Sequence, residues 1–191
     1  MKKSKKDQII EKATELFFEK GILATSMDEI AEMTPVAKMT IYKYFHNKEG
    51  LLSEVLNRYV REKHMFMSDQ IQRYPDPLDA ILHIMNYKDM DIPQQFLKEC
   101  FENYPQFVVE MMTYYKENIA KEFEKLILNA QQKGQIRKEL SPHILMIYVQ
   151  AIKEHLAKPE VVKGIADLRT VGEQFISMFL YGIVPPEHQG K

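Results

Sequence analysis

The chain has 191 residues, of which 45% are apolar and 28% are charged. This composition is typical of a globular protein with one or two domains, and it excludes an intrinsically disordered chain. The net charge of −1 excludes a polycation that binds nucleic acid through its total charge alone. Residues 1–64 nevertheless carry 12 Lys and Arg against 10 Asp and Glu, whereas the remaining residues carry 14 against 17. This mild asymmetry is the one expected if the N-terminal part contacts a polyanion.

The cysteine content and the N-terminus both bear on the cellular compartment. A single cysteine, Cys100, cannot form an intramolecular disulfide and is typical of a reducing cytosol. The lysine-rich start precedes an amphipathic segment rather than an apolar run, so we expect no secretory signal. The longest apolar runs, such as residues 144–149, are far too short to cross a bilayer. We therefore expect a cytoplasmic protein.

The spacing of apolar residues predicts an all-α chain with about nine helices. The first helix is expected over residues 7–20 and ends at Gly21, the residue type that favours a helix C-terminus. The second helix is expected to begin at Ser26, because a serine N-cap with Glu29 three positions on forms a capping box. It ends before Pro35, since proline pushes the preceding residue out of the helical conformation.

Further helices follow along the chain. A third short helix is predicted over about residues 37–45, and Asn47 is expected to cap a fourth helix that runs to about residue 72. Longer helices are predicted at about residues 77–88, 93–103, 105–132, 142–157 and 161–183.

The pair of short helices over residues 26–45, joined by a turn of about four residues, is typical of a helix-turn-helix. The sixteen residues 33–48 contain three lysines and no acidic residue. Lysines and hydroxyls hold phosphates, and a recognition helix presents its first residues to base edges. The alternative is the solvated polar face of an ordinary helical hairpin. The polar side chains in question are Lys38, Thr40, Tyr42, Lys43, Tyr44 and Lys48.

Three stretches of this region resemble the DNA-binding head of the TetR family. They are Ile10–Gly21, Thr25–Ala31 and Lys38–Leu52. The resemblance spans three helices and both of their connections, which makes it specific, although it covers under a third of the chain.

The resemblance implies two domains. A three-helix helix-turn-helix domain would occupy residues 1–50, and the fourth helix, to about residue 72, would connect it to the remainder. Residues 51–191 would form a larger helical body that binds an effector and forms a dimer.

The resemblance also implies the roles of particular residues. Thr25, at the entrance to the second helix, would contact a phosphate, and Lys48 would pair with another. Lys38 and Thr40 would lie at the groove-facing start of the recognition helix.

Tyr42 and Tyr44 would brace the DNA backbone through their hydroxyls, and Lys43 adds positive charge to the same helix. Two residues depart from the family pattern. Pro35 stands in the turn where the family usually has glycine; because proline cannot take a positive φ, this turn is expected to follow another path. Met39 stands where the family usually has a small residue, so we do not expect the base preference to carry over.

Methionines and aromatic residues are concentrated in the central predicted helices. Such side chains suit an adaptable apolar cavity, but they are equally what an ordinary core requires. The candidate ligand contacts are Phe96, Phe107, Met111 and Tyr115. The histidines are not spaced as metal ligands, and we expect no metal and no cofactor.

The last two predicted helices, over residues 142–157 and 161–183, favour a homodimer. Residues 144–149 are apolar around the full circumference of a helix, and a helix of this kind is buried on more than one side. Two such helices from each subunit would form a four-helix interface across a two-fold axis. The alternative is a large monomeric core.

These features lead to one hypothesis and two rivals. The hypothesis is a dimeric repressor that binds double-stranded DNA and is released from a pseudo-palindromic operator by a small apolar effector. A helical enzyme is the first rival; the chain has no Gly-rich phosphate loop, His-Glu-x-x-His motif or nucleophile elbow, so we assign no catalytic residue. The second rival is a helical module that uses its C-terminal helices to bind a different protein.

Overall fold

A computed structural model describes residues 3–85 and 92–156 of the chain, together with Gln174, Ser177, Met178 and Gly182. The helices are α1 (Lys5–Lys20), α2 (Met27–Glu32), α3 (Lys38–Phe45), α4 (Lys48–Arg73), α5 (Pro77–Met85), α6 (Gln94–Asn103), α7 (Pro105–Tyr114), α8 (Lys121–Gln132) and α9 (Pro142–Leu156).

This architecture confirms the all-α prediction, since the described residues contain no strand. The helix expected over 105–132 is continuous, but a π-helical segment, Tyr115–Ala120, separates α7 from α8. The last predicted helix, over 161–183, lies outside the described residues except for four isolated positions. None of the helices in the described ranges is long and apolar enough to cross a membrane.

Local signals set the ends of the first helices. Gly21 takes a φ of 89°, and its N–H donates to the Phe17 carbonyl at 3.0 Å. The Ser26 hydroxyl accepts the Glu29 N–H at 3.1 Å, which confirms the predicted N-cap of α2. The turn around Pro35 contains no positive φ among residues 33–37, as the proline requires.

The turn between α3 and α4 is tight and depends on a glycine. His46 takes a positive φ of 63°. The Asn47 side-chain oxygen then accepts the Gly50 N–H at 2.8 Å, which confirms Asn47 as the predicted cap of α4. A Cβ atom on Gly50 would lie 2.2 Å from the Phe45 carbonyl oxygen. Only glycine therefore lets the end of α3 approach the first turn of α4 so closely.

The described residues form two compact units, one from 3–66 and 92–118 and the other from 67–85 and 119–156. In the first unit, α6 and α7 share a single core with α1–α3 and the start of α4. Phe96 of α6 lies edge-on to Phe18 at 4.9 Å between ring centroids and stacks on Phe17 at 6.4 Å. The first three helices therefore do not close their core alone. The domain boundary expected near residue 50 stays a prediction.

The second unit packs α5 against α8, and α8 against α9. The Gln131 side-chain amide donates to the Arg137 and Leu140 carbonyls, at 2.9 and 2.7 Å, and so braces the connection between α8 and α9. The core cluster of the second unit consists of Ala80, Ile81, Leu126, Ile127, Ala130, Ile136 and Leu145.

Candidate functional site

Helix α3 presents one apolar face to the core and a mixed face to solvent. Ile41 and Phe45, four positions apart, are buried in the first unit. This packing turns Lys43 and Tyr44 outward, whereas Thr40 is half-buried. Lysine and hydroxyl groups thus share one exposed surface on the second helix of the helix-turn-helix, as the sequence predicts.

An acidic residue from another helix reaches this surface. The Lys38 ammonium pairs with the Asp28 carboxylate, which lies on the first turn of α2, at 2.5 Å. The hydrogen bond to Asp28 raises the pKa of Lys38 above its ordinary value. Residues 33–48 contain no acidic residue, but the folded protein brings Asp28 of α2 to the same surface. Lys38 therefore already has an anionic partner.

Lys43 and Tyr44 are the polar side chains of α3 that are exposed to solvent and remain available to a ligand. The Lys43 ammonium is exposed and has no acidic partner within residues 3–85 and 92–156. The Tyr44 ring, also exposed, lies beside Phe45 at 5.9 Å between centroids. The Tyr42 ring is half-buried and packs against the core of the first unit. A polyanion that approaches α3 would therefore meet Lys43 and Tyr44 first.

Thr25 lies inside the helix-turn-helix rather than on its surface. The residue is 1% exposed, and its hydroxyl donates to the Gly21 carbonyl at 2.8 Å, with Leu16 O at 3.3 Å. This hydrogen bond ties the start of α2 to the end of α1. The structure gives the Thr25 hydroxyl a bracing position within the protein.

Lys48 also contacts the connection between α1 and α2. Its ammonium donates to the Ile22 carbonyl at 2.9 Å and to the Thr25 carbonyl at 3.0 Å. Because an ammonium has three N–H donors, these two bonds leave one for another partner. The first residue of α4 therefore holds the α1–α2 connection from one side.

The Glu99 side chain of α6 holds the same connection by accepting a hydrogen bond from a backbone N–H group of the connection. The side chain is 6% exposed; Oε2 accepts the Leu23 N–H at 2.9 Å, and Oε1 accepts the Gln95 amide at 2.6 Å. A side chain at Gly21 would be strained by the φ of 89°, and its Cβ would lie 2.5 Å from Glu99 Oε1, so that the Glu99 carboxylate would have to shift. No sequence motif pointed to Glu99, because its partner in the α1–α2 connection, Leu23, lies 76 positions away along the chain.

The environment of Glu99 favours its ionised form. Burial raises the pKa of the carboxyl. Hydrogen bonds from Leu23, Gln95 and Ile22, together with the nearby Lys48 ammonium, lower the pKa by more than burial raises it, so the net pKa is below the ordinary 4.5. In the α1–α2 connection, the Lys48 ammonium thus donates to backbone carbonyls, and the Glu99 carboxylate accepts from backbone N–H groups. We call this arrangement, Lys48 and Glu99 around residues 21–25, the α1–α2 clamp.

The candidate ligand contacts fall into two groups. Phe96 is buried in the core between α6 and α1. Phe107 and Met111 are half-buried against that core, and Tyr115 begins the π-helical segment, where burial raises the pKa of its hydroxyl. The structure therefore gives Phe96 a core position, places Phe107 and Met111 at the margin of that core, and leaves Tyr115 half-buried at the start of the π-helical segment.

Two polar side chains of α4 contact Tyr114, the last residue of α7. The His64 Nδ1 atom is 2.9 Å from the Tyr114 hydroxyl, and the Arg61 guanidinium lies 5.6 Å from the centre of the Tyr114 ring. A mixture of apolar and polar groups of this kind is common in small-molecule sites.

Known proteins resemble this chain most strongly in the helix-turn-helix region. A sequence model described as "Bacterial regulatory proteins, tetR family" matches residues 9–55, which contain most of α1, all of α2 and α3, and the start of α4. The HTH-type transcriptional regulator LuxR of Vibrio harveyi is 37% identical over 82 residues, which are 43% of this chain and 40% of LuxR. The chain thus spans two fifths of that relative's length.

Two further comparisons extend beyond the helix-turn-helix. The HTH-type transcriptional repressor DhaR of Mycobacterium sp. (strain GP1) is 24% identical over 156 residues, 76% of this chain and 77% of DhaR. The solved structure of a TetR/AcrR-family regulator from Thermobifida fusca is 25% identical, with a TM-score of 0.71 over 93% of this chain and 97% of that one. These proteins are transcriptional regulators, and the enzyme alternative is set aside.

We predict that Glu99→Gln lowers the free energy of unfolding by about 1–3 kcal/mol at pH 7, because it removes a buried charged acceptor. The folded pKa of Glu99 is lowered, so its stabilising contribution is present above pH 4.5 and is lost as the pH falls through the folded value. The difference between wild type and variant should therefore shrink below about pH 4.5. Chemical denaturation at fixed protein concentration measures both effects.

Glu102→Gln is the matched control, because Glu102 lies on the same helix but is exposed. Its effect should stay below about 0.5 kcal/mol at either pH. Equal stability of Glu99→Gln and wild type at pH 7 would contradict the structural role of the clamp.

Proposed function

We propose that this chain is a dimeric transcriptional repressor of the TetR family of bacterial regulatory proteins, a proposal supported by the family match over residues 9–55 and by the similarity to DhaR and to the Thermobifida fusca regulator. A small apolar molecule bound to its helical body releases it from a pseudo-palindromic operator. The exposed surface of α3 carries this proposal, since its open lysine and hydroxyl groups match the chemistry of a DNA backbone.

The DNA contacts centre on the outward side chains of α3. Lys43 pairs with a phosphate, and the hydroxyls of Thr40, Tyr42 and Tyr44 donate to phosphate oxygens or base edges. Support comes from the exposure of Lys43 and Tyr44. Thr40 and Tyr42 are half-buried, and both line an open hollow on the outside of α3.

Lys38 joins these contacts only by changing partner. Its ammonium leaves Asp28 and takes up a phosphate, which repels the Asp28 carboxylate in turn. An exposed ion pair is worth only about 0–1 kcal/mol, so the exchange is feasible but reduces the gain from Lys38. Lys43, with no partner to give up in the described chain, contributes more.

Thr25 and Lys48 take different roles from those that the family resemblance implies. The buried Thr25 hydroxyl braces the end of α1, so a phosphate near residue 25 is held by backbone groups instead. Lys48 uses two donors on carbonyls and has one left for a phosphate. Both residues act mainly by positioning the helix-turn-helix.

Dimerisation through α9 and the segment after it would set the spacing of the two recognition helices. Ile144 and Ile147 are exposed on α9, the latter by 51%, whereas Leu145 packs into the second unit. An exposed branched apolar pair of this kind favours burial against a second copy. In such a dimer the two recognition helices lie about 34–36 Å apart, in successive major grooves.

The effector site lies where α7 meets the π-helical segment. Phe107, Met111 and Tyr115 supply apolar surface there, and π-helical turns frequently occur at functional sites. An effector that prefers one conformation lowers operator affinity by a coupling energy that is typically about 1–3 kcal/mol. The name of DhaR as a repressor supports repression over activation.

We predict that Lys43→Ala weakens binding to operator and to random DNA alike, because it removes a phosphate contact that carries no sequence information. The slope of log K against log salt should fall by about 0.9 for each subunit. Asp28→Asn should have the opposite effect, a roughly threefold or greater gain in affinity, because it frees Lys38. Titration of labelled duplexes at several salt concentrations measures both.

Lys121→Ala is the control, an exposed lysine on α8 in the second unit, and should keep the wild-type slope. The operator itself comes from selection of bound sequences out of random duplex DNA. An unchanged salt slope in Lys43→Ala would rule out the proposed phosphate contact, and absence of any selected sequence would overturn the regulator proposal.

We predict that Ile147→Glu halves the molar mass measured by sedimentation, because burial of a charge in an apolar dimer interface is unfavourable. Met65→Glu is the matched control: Met65 is an exposed apolar residue on α4 and its variant should remain dimeric. A wild-type protein that sediments as a monomer, or an Ile147→Glu protein that sediments as a dimer, would contradict the proposed interface.

A further inference from the structure

Met39 is the one apolar side chain that α3 exposes widely to solvent. It is the second residue of the helix and is 80% exposed, whereas Ile41 and Phe45 are buried. Burying a methionine side chain is normally favourable, so an exposed one at this position forgoes stability of the folded chain. Its surroundings suggest what it contacts.

The neighbours of Met39 make a mixed surface. Met39, Thr40, Tyr42 and Lys43 line an open hollow of about 510 Å³ on the outside of α3. The hollow thus combines an apolar thioether chain with hydroxyl groups and an ammonium. The first residues of a recognition helix are the ones that reach base edges in the major groove. A ligand that fits this hollow has an apolar group within a polar, negatively charged setting.

Thymine has this chemistry in the major groove. It presents a C5-methyl group next to the O4 acceptor, and no other standard base carries a methyl group. Phosphates on either side supply the negative charge for Lys43. The long, flexible side chain of methionine has three rotatable bonds and adapts to an apolar contact without a fixed geometry.

We infer that Met39 reads the C5-methyl group of a thymine in each half-site, and is therefore a specificity-determining residue. This inference rests on the proposed DNA-binding function. It identifies one base type that the operator contains and one side chain that selects it. Lys43 and the hydroxyl groups supply affinity, and Met39 supplies discrimination.

Replacement of single thymines by deoxyuridine tests the inference, because it removes only the methyl group. A labelled operator duplex, obtained by selection with the wild-type protein, is resynthesised with deoxyuridine at each thymine in turn. For wild type we expect one position in each half-site where the replacement weakens binding roughly fourfold, or roughly fifteenfold when both half-sites are changed. Competition titration measures each loss.

A double-mutant cycle assigns the effect to the side chain. In Met39→Ala the same replacement should change affinity by less than about twofold, since the contact is already absent. Met33→Ala is the matched control, because Met33 is an exposed methionine just after α2, and this variant should respond as wild type does. Alanine favours helix, so Met39→Ala should fold, and circular dichroism checks this.

The outcomes separate the inference from the function on which it rests. If wild type binds its operator but no deoxyuridine replacement weakens binding, Met39 does not read a methyl group and the regulator proposal stands. If the loss persists in Met39→Ala, another residue makes the contact and the inference is overturned. If selection yields no preferred sequence, the DNA-binding proposal itself fails, and the inference fails with it.

Discussion

The connection between α1 and α2 is held by two opposite charges, and the placement of the helix-turn-helix follows from them. Glu99 accepts the Leu23 N–H, and Lys48 donates to carbonyls of the same connection. Removing Glu99 would leave the Leu23 N–H without its acceptor, and removing Lys48 would leave two carbonyls without their side-chain donor, and each lost hydrogen bond lowers stability. Because α2 begins directly after this connection and α3 packs on α1 and α2, the clamp also fixes the exposed face of α3.

The clamp links the exposed face of α3, which is the proposed DNA-binding surface, to α6. Phe96, one turn from Glu99 on α6, packs against Phe17 and Phe18 of α1, so apolar and ionic contacts join the same two elements. Helix α3 is therefore part of a unit that includes α6 and α7. A displacement of α6 cannot leave the α1–α2 connection unchanged, because interfaces that pack closely do not deform continuously.

Features that depend on near neighbours could be predicted from the sequence, whereas those that depend on distant residues could not. Gly21, Ser26 and Asn47 act through backbone groups within four positions, so their helix-end roles could be predicted. The pairing of Asp28 with Lys38, and the clamp at Glu99, join separate helices, and helical periodicity carries no information on such contacts. The π-helical segment was missed for another reason, since one wide turn hardly alters the apolar spacing of a long helix.

Amide hydrogen exchange at Leu23 tests the clamp most directly. Leu23 lies in an exposed turn outside any helix, where an amide without an acceptor exchanges at nearly the rate of a free peptide. If Glu99 accepts this N–H, its protection factor, measured by NMR near neutral pH, should exceed that of the neighbouring Ala24 by at least about tenfold. Equal protection of the two amides would show that Glu99 does not hold the connection.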